Sequence, residues 1–186
     1  MDQKVVKVLE ELKDFGAQQG GMWNIPPETG KFLNILIKIS KAKSILEIGM
    51  SNGYSAIWIG AAAAEVGGKL TTLDNSMEKV GMAEENFKKA GIDDIITIVH
   101  GDAPGAIEKL PGPFDFVFMD VWNEDYVANF EAFFPKLAAG GLIVSDNAIG
   151  HSEGIEEYLE LVRNHPQIQS ALIPVGNGQE VSYKIS

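Results

Sequence analysis

Three short apolar segments of this chain end in aspartate, asparagine or glycine residues. These residue types can bind a ligand or a metal ion through side-chain oxygens or exposed backbone groups. The segments are Ile45–Gly53, Phe116–Asp120 and Leu142–Asn147. In an open parallel sheet, ligands bind in the crevice beyond the carboxyl ends of the strands. An oxygen-rich lining at that edge suits both hard divalent cations and ribose hydroxyls. We therefore expect these three strand ends to form one anionic site.

The first segment turns through Gly49 and Gly53 into a helix. Glycines let backbone amides come close to a ligand, and the start of a helix offers free N–H donors. The Gly-x-x-x-Gly spacing lacks the Gly-x-Gly-x-x-Gly fingerprint, which argues against a nicotinamide-dependent dehydrogenase. Glu47, before the turn, argues against a nearby pyrophosphate and could instead hold an ammonium group. Taken alone, the pattern also fits a plain strand-to-helix turn.

A second acidic residue, Asp74, closes the next apolar run. An acidic side chain at the end of the second strand can accept two hydrogen bonds from a ribose diol. A solvated loop aspartate is the alternative interpretation of Asp74 alone. Together with the glycine turn, Asp74 indicates a nucleoside-containing cofactor.

The elements that position these residues follow from apolar periodicity. Two amphipathic helices come first, the second beginning at Pro27. The predicted strands are Ser44–Ile48, Leu70–Leu73, Ile95–Val99, Phe114–Met119, Leu142–Ser145, Ala171–Val175 and Val181–Ile185. Helical stretches separate the first five, which indicates parallel pairing, and a glycine turn over 176–178 predicts a terminal antiparallel hairpin. We therefore predict an α/β fold, a Rossmann-like doubly wound sheet of seven mostly parallel strands with helices on both faces.

Composition narrows the class of protein. The 186 residues fit one domain, and the absence of cysteine excludes disulfides and thiol nucleophiles. The net charge of -11, with Arg163 as the single arginine, speaks against a nucleic-acid partner. No apolar run approaches the roughly 20 residues of a membrane span, and the polar N-terminus does not resemble a signal peptide. We expect a cytoplasmic protein without a membrane partner.

At this point the residues resemble the class I S-adenosylmethionine-dependent methyltransferases. More narrowly, from about residue 23 to the C-terminus, they resemble the small divalent-metal O-methyltransferases of the catechol and caffeoyl-CoA type. The segment 47–55 matches that family's first cofactor motif, including its Gly-Tyr-Ser ending. The segment 118–122 with Tyr126 follows the family's fourth-strand segment, 140–147 resembles the motif that closes on a metal pair, and 173–178 looks like the final hairpin.

The resemblance implies a set of binding residues. Those for S-adenosylmethionine are Glu47, Gly49, Ser51, Gly53, Tyr54, Ser55, Asp74, Asn75, Asp102, Ala103, Asp120 and Trp122. Among them Asp74 binds the ribose, Asp102 and Ala103 lie by the adenine, and Trp122 flanks the cofactor.

The resemblance also implies that Asp120, Asp146 and Asn147 hold a divalent cation, Mg²⁺, although a turn after a strand is the simpler interpretation of Asp146 and Asn147. The chain is then one methyltransferase domain over residues 1–186, with the helices of residues 1–40 capping the site. The last strand inserts between the fifth and sixth, and a homodimer is one expected assembly.

One position departs from the family. A lysine normally stands three residues after Asp120 as general base, and here that position is Asn123. The catalytic positions are thus Asp120 and Asn123, although an asparagine cannot take a proton from a phenol near neutral pH. His151 is the nearest alternative base, with simple surface exposure as the competing interpretation. Trp23 and Trp122 could form apolar walls for a planar acceptor, or serve only in packing.

The predicted function is transfer of a methyl group from S-adenosylmethionine to a hydroxyl of a small aromatic acceptor, assisted by Mg²⁺. Two alternatives remain from the sequence. One is methylation of a hydroxylated nucleoside in tRNA, against which the acidic charge speaks. The other, prompted by Asn123, is a cofactor-binding protein without transferase activity.

Overall fold

The computed structural model describes residues 1–19, 24–149 and 154–185. The helices are α1 (Gln3–Gln19), α2 (Pro27–Ser40), α3 (Tyr54–Val66), α4 (Met77–Ala90), α5 (Ala103–Ile107), α6 (Tyr126–Phe133) and α7 (Glu156–Asn164). The strands are β1 (Ser44–Ile48), β2 (Lys69–Asp74), β3 (Ile96–His100), β4 (Phe114–Met119), β5 (Leu137–Ser145), β6 (Ile168–Ile173) and β7 (Gln179–Lys184). Short 3-10 turns cover Asn123–Asp125 and Phe134–Lys136.

All seven strands form one sheet in the order β3-β2-β1-β4-β5-β7-β6. Strands β1 to β5 pair in parallel, whereas β7 runs antiparallel to both β5 and β6. The predicted fold class is confirmed, including the insertion of the last strand between the fifth and sixth.

The bounds of β1 and β4 are those predicted, whereas β2, β3 and β7 differ from the prediction by one or two residues at each end and β5 and β6 differ more. Strand β5 begins at Leu137, five residues before the predicted start, and its register against β4 shifts between Phe114 and Phe116. The prediction missed this extension because Gly140 and Gly141 interrupt the apolar pattern, and glycine within a strand pattern usually marks a break. The prediction for β6 over 171–175 was wrong, since the strand runs from Ile168 to Ile173. Pro174 follows it, and a proline has no N–H for the ladder.

Helices cover both faces of the sheet, as predicted. Because successive side chains of a strand point to opposite faces, Ile45 joins a core with α1 to α4, and Leu46 joins a second core with α5 to α7. Helix α3 is buried at its first ten positions, which agrees with its apolar composition on all sides. Packing therefore fixes the start of α3, which directly follows the glycine turn.

Helix α2 packs on α3, where the Asn34 side-chain amide donates to the Trp58 carbonyl at 2.9 Å. The role of residues 1–40 as a cap over the site stays a prediction. Among the described helices, none combines the length and the apolar character needed to cross a membrane.

Candidate functional site

The polar strand ends meet at one edge of the sheet. The backbone N–H of Asp120 donates to the Ile48 carbonyl at 3.0 Å, and that of Asp146 donates to Met119 at 3.0 Å. Gly49 N–H donates to the Leu73 carbonyl at 3.1 Å, so the turn after β1 also joins the end of β2. The three strand ends predicted to form one site, and the end of β2 that carries Asp74, are thus neighbours linked by backbone hydrogen bonds.

The glycine turn needs its glycines for two different reasons. Gly49 has φ +94°, and a Cβ there would overlap the backbone carbonyl oxygen of Asp120. Gly53 has φ +88°, and its Cβ would lie 2.6 Å from the Phe87 ring. Any side chain at Gly49 would therefore push apart the ends of β1 and β4. Close approach of a ligand to Gly49 stays a prediction, since the group that lies close to it in the structure is protein backbone.

Asp74 is fixed by the turn that it faces. Its Oδ2 accepts from the Ser51 N–H at 2.8 Å, and its Oδ1 accepts from the Ser76 N–H at 2.9 Å. Ser51 has φ +51°, a left-handed conformation that this bond helps to hold. A carboxylate has about four acceptor sites, so both oxygens can accept again. The next residue, Asn75, presents its carbonyl to His100 Nε2 at 3.1 Å.

Glu47 is a fully buried carboxylate between β1 and β2. Thr72 Oγ1 donates to its Oε2 at 2.5 Å, while Oε1 has no well-formed hydrogen bond within the described part of the chain. Burial raises the pKa of Glu47 to about 7, against the opposing hydroxyls of Ser55 and Thr72. Buried charge of this kind is costly unless a partner compensates it. Glu47 is therefore suited to a cationic ligand group.

The start of α3 supplies the remaining residues of the first motif. Tyr54 is buried, and its backbone N–H donates to Asn52 Oδ1 at 3.2 Å. Burial raises the pKa of Tyr54, so its phenol stays protonated near neutral pH. On the far side of β2, Asp102 caps the short helix α5 by accepting from Gly105 N–H at 3.4 Å. Ala103 is half-buried beside it, and the adenine role of this pair stays a prediction.

Asp120, Asp146 and Asn147 are brought together, as predicted. Asn147 adopts φ +64° and donates from Nδ2 to Asp120 Oδ1 at 3.1 Å. Burial first, and the Asp146 carboxylate second, raise the pKa of Asp120 to about 8 against that hydrogen bond. Glu47 also raises the pKa of Asp120, so the acids at the ends of β1 and β4 lie in one region.

Asp146 has two partners that bear on its place in the site. Its side-chain Oδ1 accepts from the Gln179 amide, and its backbone carbonyl accepts from the Tyr126 hydroxyl at 2.9 Å. The pKa of Tyr126 lies well above its usual range because of burial and then the two aspartates. Tyr126 therefore remains a hydrogen-bond donor and is unsuited to act as a base.

Sequence reasoning missed Gln179. The predicted last strand began at Val181, so Gln179 was assigned to the loop before it, whereas β7 begins at Gln179 itself. The antiparallel insertion of β7 beside β5 brings Gln179 to Asp146, which is 33 positions away along the chain. A polar residue next to the glycine turn of the hairpin was the available clue.

An amide side chain, Asn123, occupies the position at which the family's general base is expected. Asn123 begins the 3-10 turn after β4 and is half-buried against Gly154. Trp122, next to it, is 71% exposed, which leaves its indole available to a ligand and excludes a core role. Trp23 and His151 lie outside the described residues.

The side-chain oxygens of Asp120, Asp146 and Asn147 could hold a divalent cation, provided that the asparagine takes part. Among residues 1–19, 24–149 and 154–185, no group of three or more His, Cys, Asp or Glu side chains could hold a metal. An ion here would thus depend on the Asn147 amide oxygen in addition to Asp120 and Asp146. Two carboxylates and an amide are oxygen ligands of the kind that Mg²⁺ accepts, and a cation would relieve the repulsion between the buried acids.

Comparison with known proteins agrees with this geometry. A family model described as O-methyltransferase matches residues 2–185. A catechol O-methyltransferase of Niastella koreensis is 35% identical over 138 residues, covering 72% of this chain. The match spans 62% of that protein, less than two thirds of its length. Caffeoyl-CoA O-methyltransferase 1 of Eucalyptus globulus is 28% identical over 204 residues, covering 96% of this chain and 82% of that protein.

A solved structure is similar over almost the whole chain. The O-methyltransferase from Bacillus cereus in complex with SAH superposes with a TM-score of 0.84 and is 26% identical. The match covers 99% of this chain and 91% of that one.

The raised pKa values of Asp120 and Glu47 predict that the free energy of unfolding falls as the pH rises. Asp120 and Glu47 have folded pKa values of about 8 and about 7, above those of unfolded carboxyls. Their contribution to stability is therefore fully present below about pH 4 and is lost as the pH rises through 7 to 8.

We expect Asp120→Asn to remove the part of this loss that Asp120 causes. In chelator at pH 8.5, urea unfolding should show the variant more stable than the wild type by at least about 1.4 kcal/mol, the equivalent of one pKa unit. At pH 5 the difference should shrink. Asp93→Asn, at an exposed position beyond α4, is the matched control and should track the wild type. If the free energy of unfolding changed with pH equally in Asp120→Asn and the wild type, the raised pKa of Asp120 would be contradicted.

Proposed function

The chain belongs to the O-methyltransferase family, and from that premise we propose that it transfers the methyl group of S-adenosylmethionine to a hydroxyl of a small aromatic acceptor, with Mg²⁺ assisting. One observation supports the proposal. The ends of four neighbouring strands carry all of the polar groups concerned, namely Glu47 and Asp74 on one side and Asp120, Asp146 and Asn147 on the other. The first pair suits the cofactor and the second set suits the acceptor, so donor and acceptor would meet in one crevice.

On the cofactor side, each acid matches a different part of S-adenosylmethionine. Asp74, held by two backbone N–H groups, keeps acceptor capacity for the two ribose hydroxyls. Glu47, with Oε1 lacking a well-formed partner among the described residues, would face the ammonium group. The acid-rich crevice also favours a sulfonium cation over the neutral thioether that remains after transfer. This preference favours the bound donor rather than the transition state, in which the positive charge on sulfur is fading, so the rate would come from alignment of donor and acceptor.

On the acceptor side, Asp120, Asp146 and Asn147 would hold the cation. Bound Mg²⁺ would make an acceptor hydroxyl more acidic and fix its orientation. The protein's own part is to keep both carboxylates in place, through the Asn147 amide on Asp120 and the Gln179 amide on Asp146. Trp122, exposed beside this set, would give a planar acceptor an apolar wall.

Asn123 shapes the remaining chemistry. An amide at this position can donate a hydrogen bond but cannot accept the phenol proton near neutral pH. Deprotonation of the acceptor would thus depend on the cation and on solvent, and transfer should rise with pH. The same residue favours a second candidate, a cofactor-binding protein without transferase activity, which the experiments below separate from the first.

Asp74→Ala tests the cofactor site. We expect the variant to bind S-adenosylmethionine more weakly by about 1–3 kcal/mol, because the ribose hydroxyls lose their acceptor. Isothermal titration calorimetry measures the affinity, and Asp93→Ala is the control for loss of an exposed aspartate. Unchanged affinity in Asp74→Ala would remove the ribose role.

Methyl transfer with and without metal tests the acceptor site. Labelled S-adenosylmethionine should methylate catechol, 3,4-dihydroxybenzoate or caffeate in the presence of Mg²⁺. Excess chelator should slow transfer by at least about a hundredfold, since Lewis-acid assistance is worth several kcal/mol. Full transfer in chelator would end the metal proposal. Cofactor binding with no transfer to any acceptor in the panel would support the binding protein instead.

A further inference from the structure

The loop of the terminal hairpin lies directly against the turn that carries Asp146 and Asn147. Ala148 N–H donates to the Gly178 carbonyl at 3.0 Å, and Ile149 N–H donates to the Asn177 carbonyl at 2.9 Å. Gly178 has φ +85°, and a Cβ there would come within 2.8 Å of the Ile149 backbone nitrogen. The two turns therefore touch backbone to backbone, and the hairpin loop forms one wall of the site.

From this wall, Gln179 reaches Asp146. The side chain is fully buried, and its Nε2 donates to Asp146 Oδ1 and lies 3.4 Å from the Val175 carbonyl. Its Oε1 has no hydrogen-bond partner within the described ranges. A buried amide with one unpaired oxygen costs free energy that an apolar side chain would avoid. Packing alone therefore does not account for a glutamine at this position.

Asn177 contacts the other member of the pair. Its Nδ2 donates to Asn147 Oδ1 at 3.3 Å, and Asn147 in turn donates to Asp120 Oδ1. The amide oxygen of Asn147 has two lone pairs, so it can accept this bond and still face a cation. Both side-chain amides of the loop thus bond to groups of the candidate metal centre.

We propose that Gln179 is a positioning residue of the metal centre, holding the Asp146 carboxylate in its ligating orientation, with Asn177 doing the same for Asn147. The inference rests on the metal-assisted function proposed above. Ligating carboxylates are commonly held by hydrogen bonds from outer residues, whose loss costs about ten- to a hundredfold in metal affinity. Gln179 touches no reacting atom and would act only through Asp146.

The test is Mn²⁺ binding, followed by electron paramagnetic resonance, with no acceptor present. Gln179→Leu removes the donor at similar size and should weaken Mn²⁺ binding by about ten- to a hundredfold. Asn177→Leu, on the exposed part of the loop, should weaken it by a smaller factor of roughly two to five. Gln169→Leu makes the same chemical change at an exposed position of β6 and is the control that should leave affinity unaltered.

S-adenosylmethionine affinity, measured on the same variants, separates positioning from structure. If Gln179 only stabilises the fold, its loss should weaken both ligands or neither, whereas selective loss of Mn²⁺ binding supports the proposal. Should Gln179→Leu fail to fold, the selective effect of Asn177→Leu decides. Wild-type Mn²⁺ affinity retained in both variants would overturn the inference and leave the metal centre intact. Absence of Mn²⁺ binding in the wild type would overturn both the inference and the metal part of the proposed function.

Discussion

Glu47, Asp120 and Asp146 bring three carboxyl groups together at one edge of the sheet, where Glu47 and Asp146 are fully buried and Asp120 is half-buried. Desolvation and the nearby acids raise the pKa values of Glu47 and Asp120, so ionising these groups in the folded protein is costly. A fold has little reason to keep such acids together unless a cation compensates them. S-adenosylmethionine carries both a sulfonium and an ammonium group, and Mg²⁺ carries two charges. Under the proposed function, these cations would compensate the acids of the site.

The rest of the structure holds these acids at short range. Parallel pairing of β1 with β2 and β4 aligns the strand ends, and close contact between Gly49 and the Asp120 carbonyl keeps β1 and β4 together. The Ser51 N–H ties the glycine turn to Asp74. The terminal hairpin then closes the last side, where Gln179 bonds to Asp146. Each link is made within the protein itself, through a backbone group or a buried side chain.

Sequence patterns predicted most of this arrangement because the relevant signals are local. A β-strand followed by a glycine turn or an aspartate can be identified within ten residues, and Glu47, Asp74, Asp120 and Asp146 were all placed correctly at strand ends. The contribution of Gln179 could not be predicted in this way. It depends on an antiparallel strand inserted beside β5, so two residues distant in sequence meet through topology alone. The end of β6 was misplaced for a local reason, since Pro174 stops a strand that its apolar neighbours seemed to continue.

The most direct test of this account is a crystal structure with S-adenosylhomocysteine and Mn²⁺ bound, with the ion located by its anomalous scattering. The account predicts one manganese peak ligated by Asp120, Asp146 and Asn147, with the ribose hydroxyls on Asp74 and the ammonium group facing Glu47. A cofactor bound elsewhere on the molecule, or an ion away from these three residues, would contradict it.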